Sequence, residues 1–359
     1  MSKNSFSTSA QSNGADPPAN SRWYTGLGIL AIFVVTVIFT ASSITLAAAP
    51  PQKLPVVFDT DICDDIDDTW ALVMLLQSPE FDIKLITTAV NNTPEKAKVV
   101  ARILEIAGRT DIPVGIGIQQ NKNNHRQREW VKDYKLSSYP GKVHQDGVQA
   151  IVDTIMKSRK PMTVIAVGPL PNIAAALERE PRIANKARFV GMHGSIYKGY
   201  GGSSNISAEY NVKAYPKAAQ RVFTEPWDIT ITPLDTCGIV HLTGEKYQKV
   251  LKANTPLTNA LIENYRAWYK QGIRNKDLSE EELNKRTNRQ INSRSTTLFD
   301  TVGIYLGMTE KLVKIEKLGI KVTDDGYTRI DKNAKVINCA TEWKDLGAFE
   351  DFLVERLIK

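Results

Sequence analysis

The chain has 359 residues, of which 42% are hydrophobic and 24% charged, with 22 glycines and 17 prolines. These proportions are typical of a folded globular protein and exclude collagen-like, low-complexity and wholly disordered chains. The 46 basic residues exceed the 39 acidic ones, which gives a formal net charge of +7, but the basic residues are scattered along the sequence. We therefore predict no nucleic-acid partner.

The N-terminal region is predicted to lie outside the folded domain. Residues 1–22 are rich in Ser, Asn and Gly and are expected to be disordered. Residues 23–49 carry no charge and are long enough to cross a hydrocarbon layer of about 30 Å as a helix. This segment is interpreted either as an uncleaved transmembrane anchor or as a signal peptide that is cleaved after Ala49. Both interpretations predict export, with a membrane-anchored extracytoplasmic domain in the first case and a secreted or periplasmic protein in the second.

Residues 54–359 are predicted to form one domain. Five short β-branched runs, at 55–58, 83–90, 163–167, 188–192 and 228–232, are typical of buried strands. Helical patterns alternate with them.

The clearest helix has Thr93 as its predicted N-cap, Pro94 in its first turn and Gly108 beyond its end. The alternation of strands and helices predicts an α/β fold with an open, mostly parallel sheet flanked by helices. Such sheets bind ligands at the carboxyl ends of their strands.

Six carboxylates fall within the ten residues from Asp59 to Asp68, directly after the first predicted strand. So many negative charges repel one another unless a cation lies among them. Asp67 and Asp68 could simply cap the following helix, but capping needs one or two acids and not six. An EF-hand loop is excluded, because its glycine and glutamate positions are occupied by Asp64 and Trp70. The three cysteines, Cys63, Cys237 and Cys339, are too far apart in the sequence to suggest a zinc site, and we expect no disulfide.

The aspartate cluster resembles the D-T-D-x-G-x-D-D signature of the inosine-uridine-preferring nucleoside hydrolase family. Further segments follow in the family's order: VGPLPNIAAAL (167–177), AEYNVKAYPKAAQRVF (208–223), WDITITPLD (227–235) and LFDTVGIYL (298–306). The resemblance extends from about residue 54 to the C-terminus. It implies an open, mostly parallel sheet with a Rossmann-like core and one Ca²⁺ at the strand ends.

The resemblance also implies roles for particular residues. The implied Ca²⁺ ligands are Asp61, Asp68, Asp300 and the backbone carbonyl of Val167. Asp61 is also the implied base that takes a proton from the attacking water. The implied ribose contacts are Asp67, Asn92, Glu209 and Asn211. The expected reaction is calcium-dependent hydrolysis of the N-glycosidic bond of a small-molecule riboside. Whether the chain forms a homo-oligomer is left open.

This sequence departs from the family pattern at two places that matter for chemistry. The aspartate loop is two residues longer than usual, which leaves the roles of Asp64 and Asp65 open. Phe299 stands where the family has a histidine proposed to protonate the leaving base, and phenylalanine cannot donate a proton. The alternative hypothesis is therefore a non-catalytic or altered-substrate riboside-binding protein that retains the calcium pocket.

Overall fold

The computed structural model describes residues 52–274 and 277–359. The predicted disordered segment 1–22 and the predicted anchor or signal peptide 23–49 lie outside the described residues. No helix within the described ranges is long and apolar enough to cross a membrane. The three cysteines are buried and free, as expected.

The strands of the described residues form one sheet. They are β1 (Leu54–Thr60), β2 (Phe81–Thr88), β3 (Val114–Ile116), β4 (Val143–His144), β5 (Met162–Ala166), β6 (Ala187–Met192), β7 (Ile229–Thr232), β8 (Val313–Val322), β9 (Thr328–Ile330) and β10 (Val336–Trp343). Their order across the sheet is β4-β3-β2-β1-β5-β6-β7-β10-β8-β9. In this order, every pair of neighbouring strands from β4 across to β10 is parallel. Among the described residues, the pairs β10–β8 and β8–β9 are antiparallel. The predicted open, mostly parallel sheet is confirmed.

Helices connect the strands and cover both faces of the sheet. They are α1 (Asp67–Leu76), α2 (Thr93–Ile106), α3 (Arg128–Val131), α4 (Gly147–Lys157), α5 (Pro171–Arg179), α6 (Tyr210–Ala214), α7 (Pro216–Thr224), α8 (Leu234–Cys237), α9 (Gly244–Lys252), α10 (Pro256–Ile273), α11 (Glu280–Ile291), α12 (Phe299–Met308) and α13 (Leu346–Leu357). Short 3₁₀ turns occur at Leu136–Ser138, Pro181–Asn185 and Tyr200–Gly202.

The sheet separates two hydrophobic cores. Along β1, Val56 and Phe58 point into a core shared with α1, α2, α10, α12 and α13, whereas Val57 points into a core shared with α4, α5 and α7. Successive side chains of a strand face opposite sides, so a strand covered on both faces is apolar throughout. This arrangement explains why the central strands appear in the sequence as short continuous hydrophobic runs.

Two details of the secondary structure differ from the sequence-based expectations. Thr93 is the first residue of α2 and not its N-cap, which is Asn92. The Thr93 hydroxyl instead donates to the carbonyl of Gly117, because the β3 connection packs against this helix end. The predicted strands omit β3 and β4, which are only three and two residues long. They also omit β8 to β10, whose exposed and buried residues follow the less regular pattern of an antiparallel sheet edge.

Candidate active site

The site lies at the point where the strand order of the sheet reverses. β1 pairs with β2 on one side and with β5 on the other, so the chain after β1 and the chain after β5 leave the same edge of the sheet in adjacent positions. In open α/β sheets such a crevice is the usual place for a ligand. The aspartate loop follows β1, and Val167 and Gly168 follow β5.

A cavity of about 330 Å³ opens at this crevice. Its walls combine acidic side chains with aromatic and apolar ones. The lining residues are Asp61, Asp64, Asp65, Asp67, Asp68, Val167, Met192, Tyr200, Glu209, Tyr210, Asn211, Phe299 and Asp300. Of the eight residues predicted for the site, seven meet here and only Asn92 does not.

Three buried carboxylates form the centre of the acidic wall. Asp67, Asp68 and Asp300 each present an oxygen, and these atoms lie within 4.8 Å of one another. The backbone N–H of Asp300 donates to Asp67 at 3.2 Å, and the hydroxyl of Thr60 donates to Asp68. The first turns of α1 and α12 therefore bring together carboxylates more than 200 positions apart in the sequence.

Asp61 lies beside this trio and against the chain that follows β5. A side-chain carbon at Gly168 would be only 2.6 Å from the Asp61 carboxylate, so glycine is required for Asp61 to occupy this position. Val167 lies immediately before that glycine and lines the cavity. Its backbone carbonyl accepts a hydrogen bond of 2.7 Å from the Asn211 side chain. A carbonyl oxygen has two lone pairs, which leaves one for another partner.

The electrostatics of the acidic wall indicate that a cation belongs there. Burial raises the pKa of Asp61, Asp67, Asp68 and Asp300 well above the usual range, and repulsion between neighbouring carboxylates raises each pKa further. Keeping four buried carboxylates ionised requires a compensating positive charge. Carboxylate and carbonyl oxygens are hard donors, so these residues fit a hard divalent cation such as Ca²⁺ or Mg²⁺.

One buried cation of the protein itself also contacts the aspartate loop. Lys96 on α2 is fully buried, and its ammonium group lies 2.9 Å from the Asp64 carboxylate. It also donates to the carbonyls of Asp61 at 2.9 Å and Ala89 at 3.1 Å. Asp64, whose role the sequence left open, thus anchors the longer loop to α2. Asp65 lines the cavity, and burial raises its pKa.

Glu209 and Asn211 lie at the start of α6 and line the same cavity as the aspartates. The Glu209 carboxylate accepts from the backbone N–H groups of Gly194, Asn211 and Val212, which makes it the N-cap of α6. Burial raises its pKa from 4.5 to about 7, although these hydrogen bonds oppose the shift. Asn211 bridges two strand ends by donating to the carbonyls of Val167 and Met192. Both side chains are held rigidly at the cavity wall.

Asn92 and Asp59 are near the site but turn away from the cavity. The Asn92 side chain donates to the carbonyl of Asn123 and accepts from Gln119, so it holds the loop after β3. Asp59 is fully buried and accepts from Thr87 and Asn172, which ties β1 to β2 and α5. Burial raises the pKa of Asp59 to about 6.

A histidine and an aromatic pair near the site pack against the protein and not into the cavity. His193 is fully buried, with Nε2 lying 3.1 Å from the Gly168 carbonyl, and does not line the cavity. Tyr265 and Trp268 pack against each other on α10, with ring centroids 6.5 Å apart. The Trp268 indole N–H reaches the Asp64 carbonyl at 3.4 Å, so this helix supports the aspartate loop from outside.

Sequence reasoning missed Lys96 and Tyr200. For Lys96 a signal was present: it lies three and four residues before Val99 and Val100 and seven before Ile103, on the apolar face of α2. A lysine on a buried helix face must find a buried anion. Tyr200 had no such signal, because it lies in a glycine-rich loop whose path only the folded chain defines.

The sheet and its acidic cavity, which fits a divalent cation, define an α/β protein with a ligand site at the carboxyl ends of its strands. The family model described as inosine-uridine preferring nucleoside hydrolase matches residues 56–346. The chain belongs to this family of N-glycosidic bond hydrolases.

Individual relatives agree with this assignment. The chain is 31% identical over 225 residues to the pyrimidine-specific ribonucleoside hydrolase RihA of Citrobacter koseri. The matched region covers 59% of this chain and 70% of that protein. RihA of Photobacterium profundum is 31% identical over 58% of this chain and 69% of its own length.

Solved structures share the fold. A plant nucleoside hydrolase, PpNRh1, superposes with a TM-score of 0.70 at 21% identity over 86% of this chain and 99% of its own. The purine-preferring ribonucleoside hydrolase from Gardnerella vaginalis gives a TM-score of 0.67 at 21% identity, over 85% of this chain and 98% of that one.

Proposed function

We propose that this protein hydrolyses the N-glycosidic bond of a ribonucleoside to ribose and free base in a calcium-dependent reaction. The observation that carries the proposal is the convergence of Asp61, Asp67, Asp68 and Asp300 in one buried cavity that also contains Glu209 and Asn211. The relatives support it, since their names describe ribonucleoside hydrolases of both pyrimidine-specific and purine-preferring kinds.

The residues that would hold Ca²⁺ are Asp61, Asp68, Asp300 and the carbonyl of Val167. Bound there, the ion supplies positive charge that orients water and the ribose hydroxyls. Asp61 takes the proton of the water that attacks C1′, because it lies beside the carboxylate trio inside the cavity. Asp67 accepts a ribose hydroxyl, and Glu209 and Asn211 also contact the ribose. Because these residues would hold the water and the ribose in place, the attack of water on C1′ becomes effectively intramolecular.

The test is ribose release from inosine, guanosine, adenosine, uridine and cytidine by the full-length chain, with Ca²⁺ and with a chelator. We expect release from at least one riboside, loss in chelator, and a fall of about 10² or more in kcat for Asp61→Asn. Asp82→Asn, a half-exposed aspartate at the start of β2, is the matched control and should leave the rate unchanged. Undiminished release by Asp61→Asn, or no release from any riboside, contradicts the proposal.

A second candidate function is riboside binding without turnover. The observation that favours it is Phe299, which lines the cavity where the family has a proton donor. Calorimetry with Ca²⁺ and each riboside distinguishes the two functions. Tight binding of a riboside that stays intact after prolonged incubation supports the hypothesis of a binding protein. Any catalytic release of ribose excludes that hypothesis.

We also propose that the catalytic domain is exported. The uncharged segment 23–49 supports this proposal. Fractionation of cells that express the full chain, followed by mass measurement of its N-terminus, tests it. An intact chain in the membrane fraction indicates an anchor, a chain starting near residue 50 in the soluble exported fraction indicates a signal peptide, and recovery in the cytoplasm contradicts export.

A further inference from the structure

Tyr200 brings a hydroxyl group into the cavity beside the residue that replaces the family's proton donor. It lies in the loop between β6 and α6, where Gly201 and Gly202 adopt left-handed backbone angles with φ of 63° and 77°. Its ring meets Phe299 edge to face, with centroids 6.1 Å apart and an interplanar angle of 82°. Phe299 directly precedes Asp300, and Tyr200 lines the same cavity as the carboxylate trio.

Tyr200 lines the cavity, and its hydroxyl proton is free to be donated. Its oxygen accepts the backbone N–H of Tyr210 at 2.9 Å. A phenol oxygen that accepts in this way still carries its own proton. Across the two described ranges of the chain, no protein group accepts that proton, and Tyr200 is 45% exposed.

The surroundings of Tyr200 keep the phenol protonated, and one hydrogen bond partly offsets the cost of its negative charge. Burial of the hydroxyl and then the nearby Glu209 carboxylate raise the pKa of Tyr200, so the proton is present at neutral pH. The N–H of Tyr210 opposes this shift, because it stabilises negative charge on the phenol oxygen. The same hydrogen bond would stabilise the tyrosinate left after proton transfer.

We propose that Tyr200 is the acid that protonates the leaving base, in the place that Phe299 cannot fill. This inference rests on the proposed nucleoside hydrolysis. As the C1′–N bond breaks, its electron pair goes to the base, and the phenol proton of Tyr200 goes to the same base. The oxygen of water bonds to C1′, and the proton of that water goes to Asp61. The tyrosinate regains a proton from solvent and Asp61 releases its proton to solvent, so the sum is riboside plus water to ribose plus base.

The experiment compares a substrate that needs the proton with one that does not. Inosine and uridine release a base that is protonated as it leaves, whereas p-nitrophenyl riboside releases a phenolate. Tyr200→Phe removes only the hydroxyl. We expect kcat/KM for the better of the two nucleosides to fall by about 10² or more, as for loss of a positioned general acid, and that for p-nitrophenyl riboside to change less than threefold. Retained cleavage of the p-nitrophenyl substrate also shows that the variant is folded.

Two further variants make the test specific to Tyr200. Tyr197→Phe is the matched control, because Tyr197 is in the same loop and equally exposed, but its hydroxyl donates to Glu316 and it does not line the cavity. It should leave both rates unchanged. Tyr210→Phe tests the other tyrosine hydroxyl of the cavity and should not reproduce the selective loss.

Three results would overturn the assignment of Tyr200 while leaving nucleoside hydrolysis intact. They are an equal loss for both kinds of substrate, an unchanged rate on nucleosides, and a selective loss in Tyr210→Phe in place of Tyr200→Phe. If the unmodified protein cleaves neither the nucleosides nor p-nitrophenyl riboside, the proposed function fails, and this inference fails with it.

Discussion

The ammonium group of Lys96 lies 2.9 Å from the carboxylate of Asp64, and the lysine side chain is fully buried. The same group donates to the carbonyl of Asp61. One buried cation therefore joins the lengthened part of the aspartate loop to the residue proposed as the base. Asn91, with a left-handed φ of 55°, adds a hydrogen bond of 2.8 Å to Asp64 from the end of β2. These contacts hold the loop in one shape.

Removing this cation should destabilise the protein. Lys96→Met leaves Asp64 partly buried without its partner, and breaking a buried pair costs about 3–5 kcal/mol. Urea unfolding measures the change. Lys98→Met, in the same helix but partly exposed and paired only with Glu95, is the control and should change stability by about 0.5 kcal/mol or less. Adding Asp64→Asn to Lys96→Met should recover part of the loss, and a purely additive double variant would contradict the pairing.

Calcium should stabilise the folded chain through its proposed carboxylate ligands, Asp61, Asp68 and Asp300. A ligand that binds only the folded state at 100 times its Kd adds about 2.7 kcal/mol to stability. We expect Ca²⁺ to raise the Tm of the unmodified protein and a chelator to reverse the rise. Asp68→Asn and Asp300→Asn should abolish most of the shift, while Asp82→Asn keeps it. An equal calcium shift in all three variants would place the ion elsewhere.

Gly168→Ala should impair catalysis more than folding. The added carbon would lie 2.6 Å from the Asp61 carboxylate, so Asp61 must move. A displacement of about 1 Å in a reacting group can cost about 10² in rate. Gly347→Ala at the start of α13 is the control, because its added carbon meets nothing closer than 3.4 Å. Steady-state kinetics on the preferred riboside gives the comparison, and a normal kcat for Gly168→Ala would mean that the position of Asp61 is not critical.

Stability without metal should depend on the ionisation of Glu209. Its folded pKa of about 7 exceeds the ordinary 4.5, so the folded state binds the proton more tightly than the unfolded state does. The contribution of Glu209 to stability is therefore full below about pH 4.5 and is lost as pH rises to about 7, by at most about 1.4 kcal/mol per pH unit.

Urea unfolding in chelator between pH 4.5 and 8 tests this dependence. Glu209→Gln keeps an acceptor for the backbone N–H groups but cannot ionise, so its stability should fall less steeply over this window. The exposed Glu355→Gln on α13 should follow the unmodified protein. Parallel curves for Glu209→Gln and the unmodified protein would show that Glu209 keeps an ordinary pKa.

The sequence alone was sufficient for the five central strands of the sheet, β1, β2, β5, β6 and β7, and for most of the acidic wall. Continuous apolar strands alternating with amphipathic helices require a parallel sheet, because only a sheet covered on both faces buries such strands completely. The parallel strands then place Asp61, Asp67 and Asp68 at a carboxyl edge. Asp300 entered the predicted site through the family resemblance, since nothing in its local sequence says that α12 packs beside α1.

Only the tertiary structure decided which polar groups meet. Asn92 turns to Asn123 because Val90 and Asn91 take left-handed backbone angles at the end of β2, and no sequence pattern specifies that turn. The contact of Tyr200 with Phe299 depends on the path of an irregular loop across the sheet edge. Strands and helices follow from a repeating hydrophobic pattern, whereas loop contacts depend on the packing of elements distant in the sequence. The direction of each loop side chain is therefore set by the folded core beneath it.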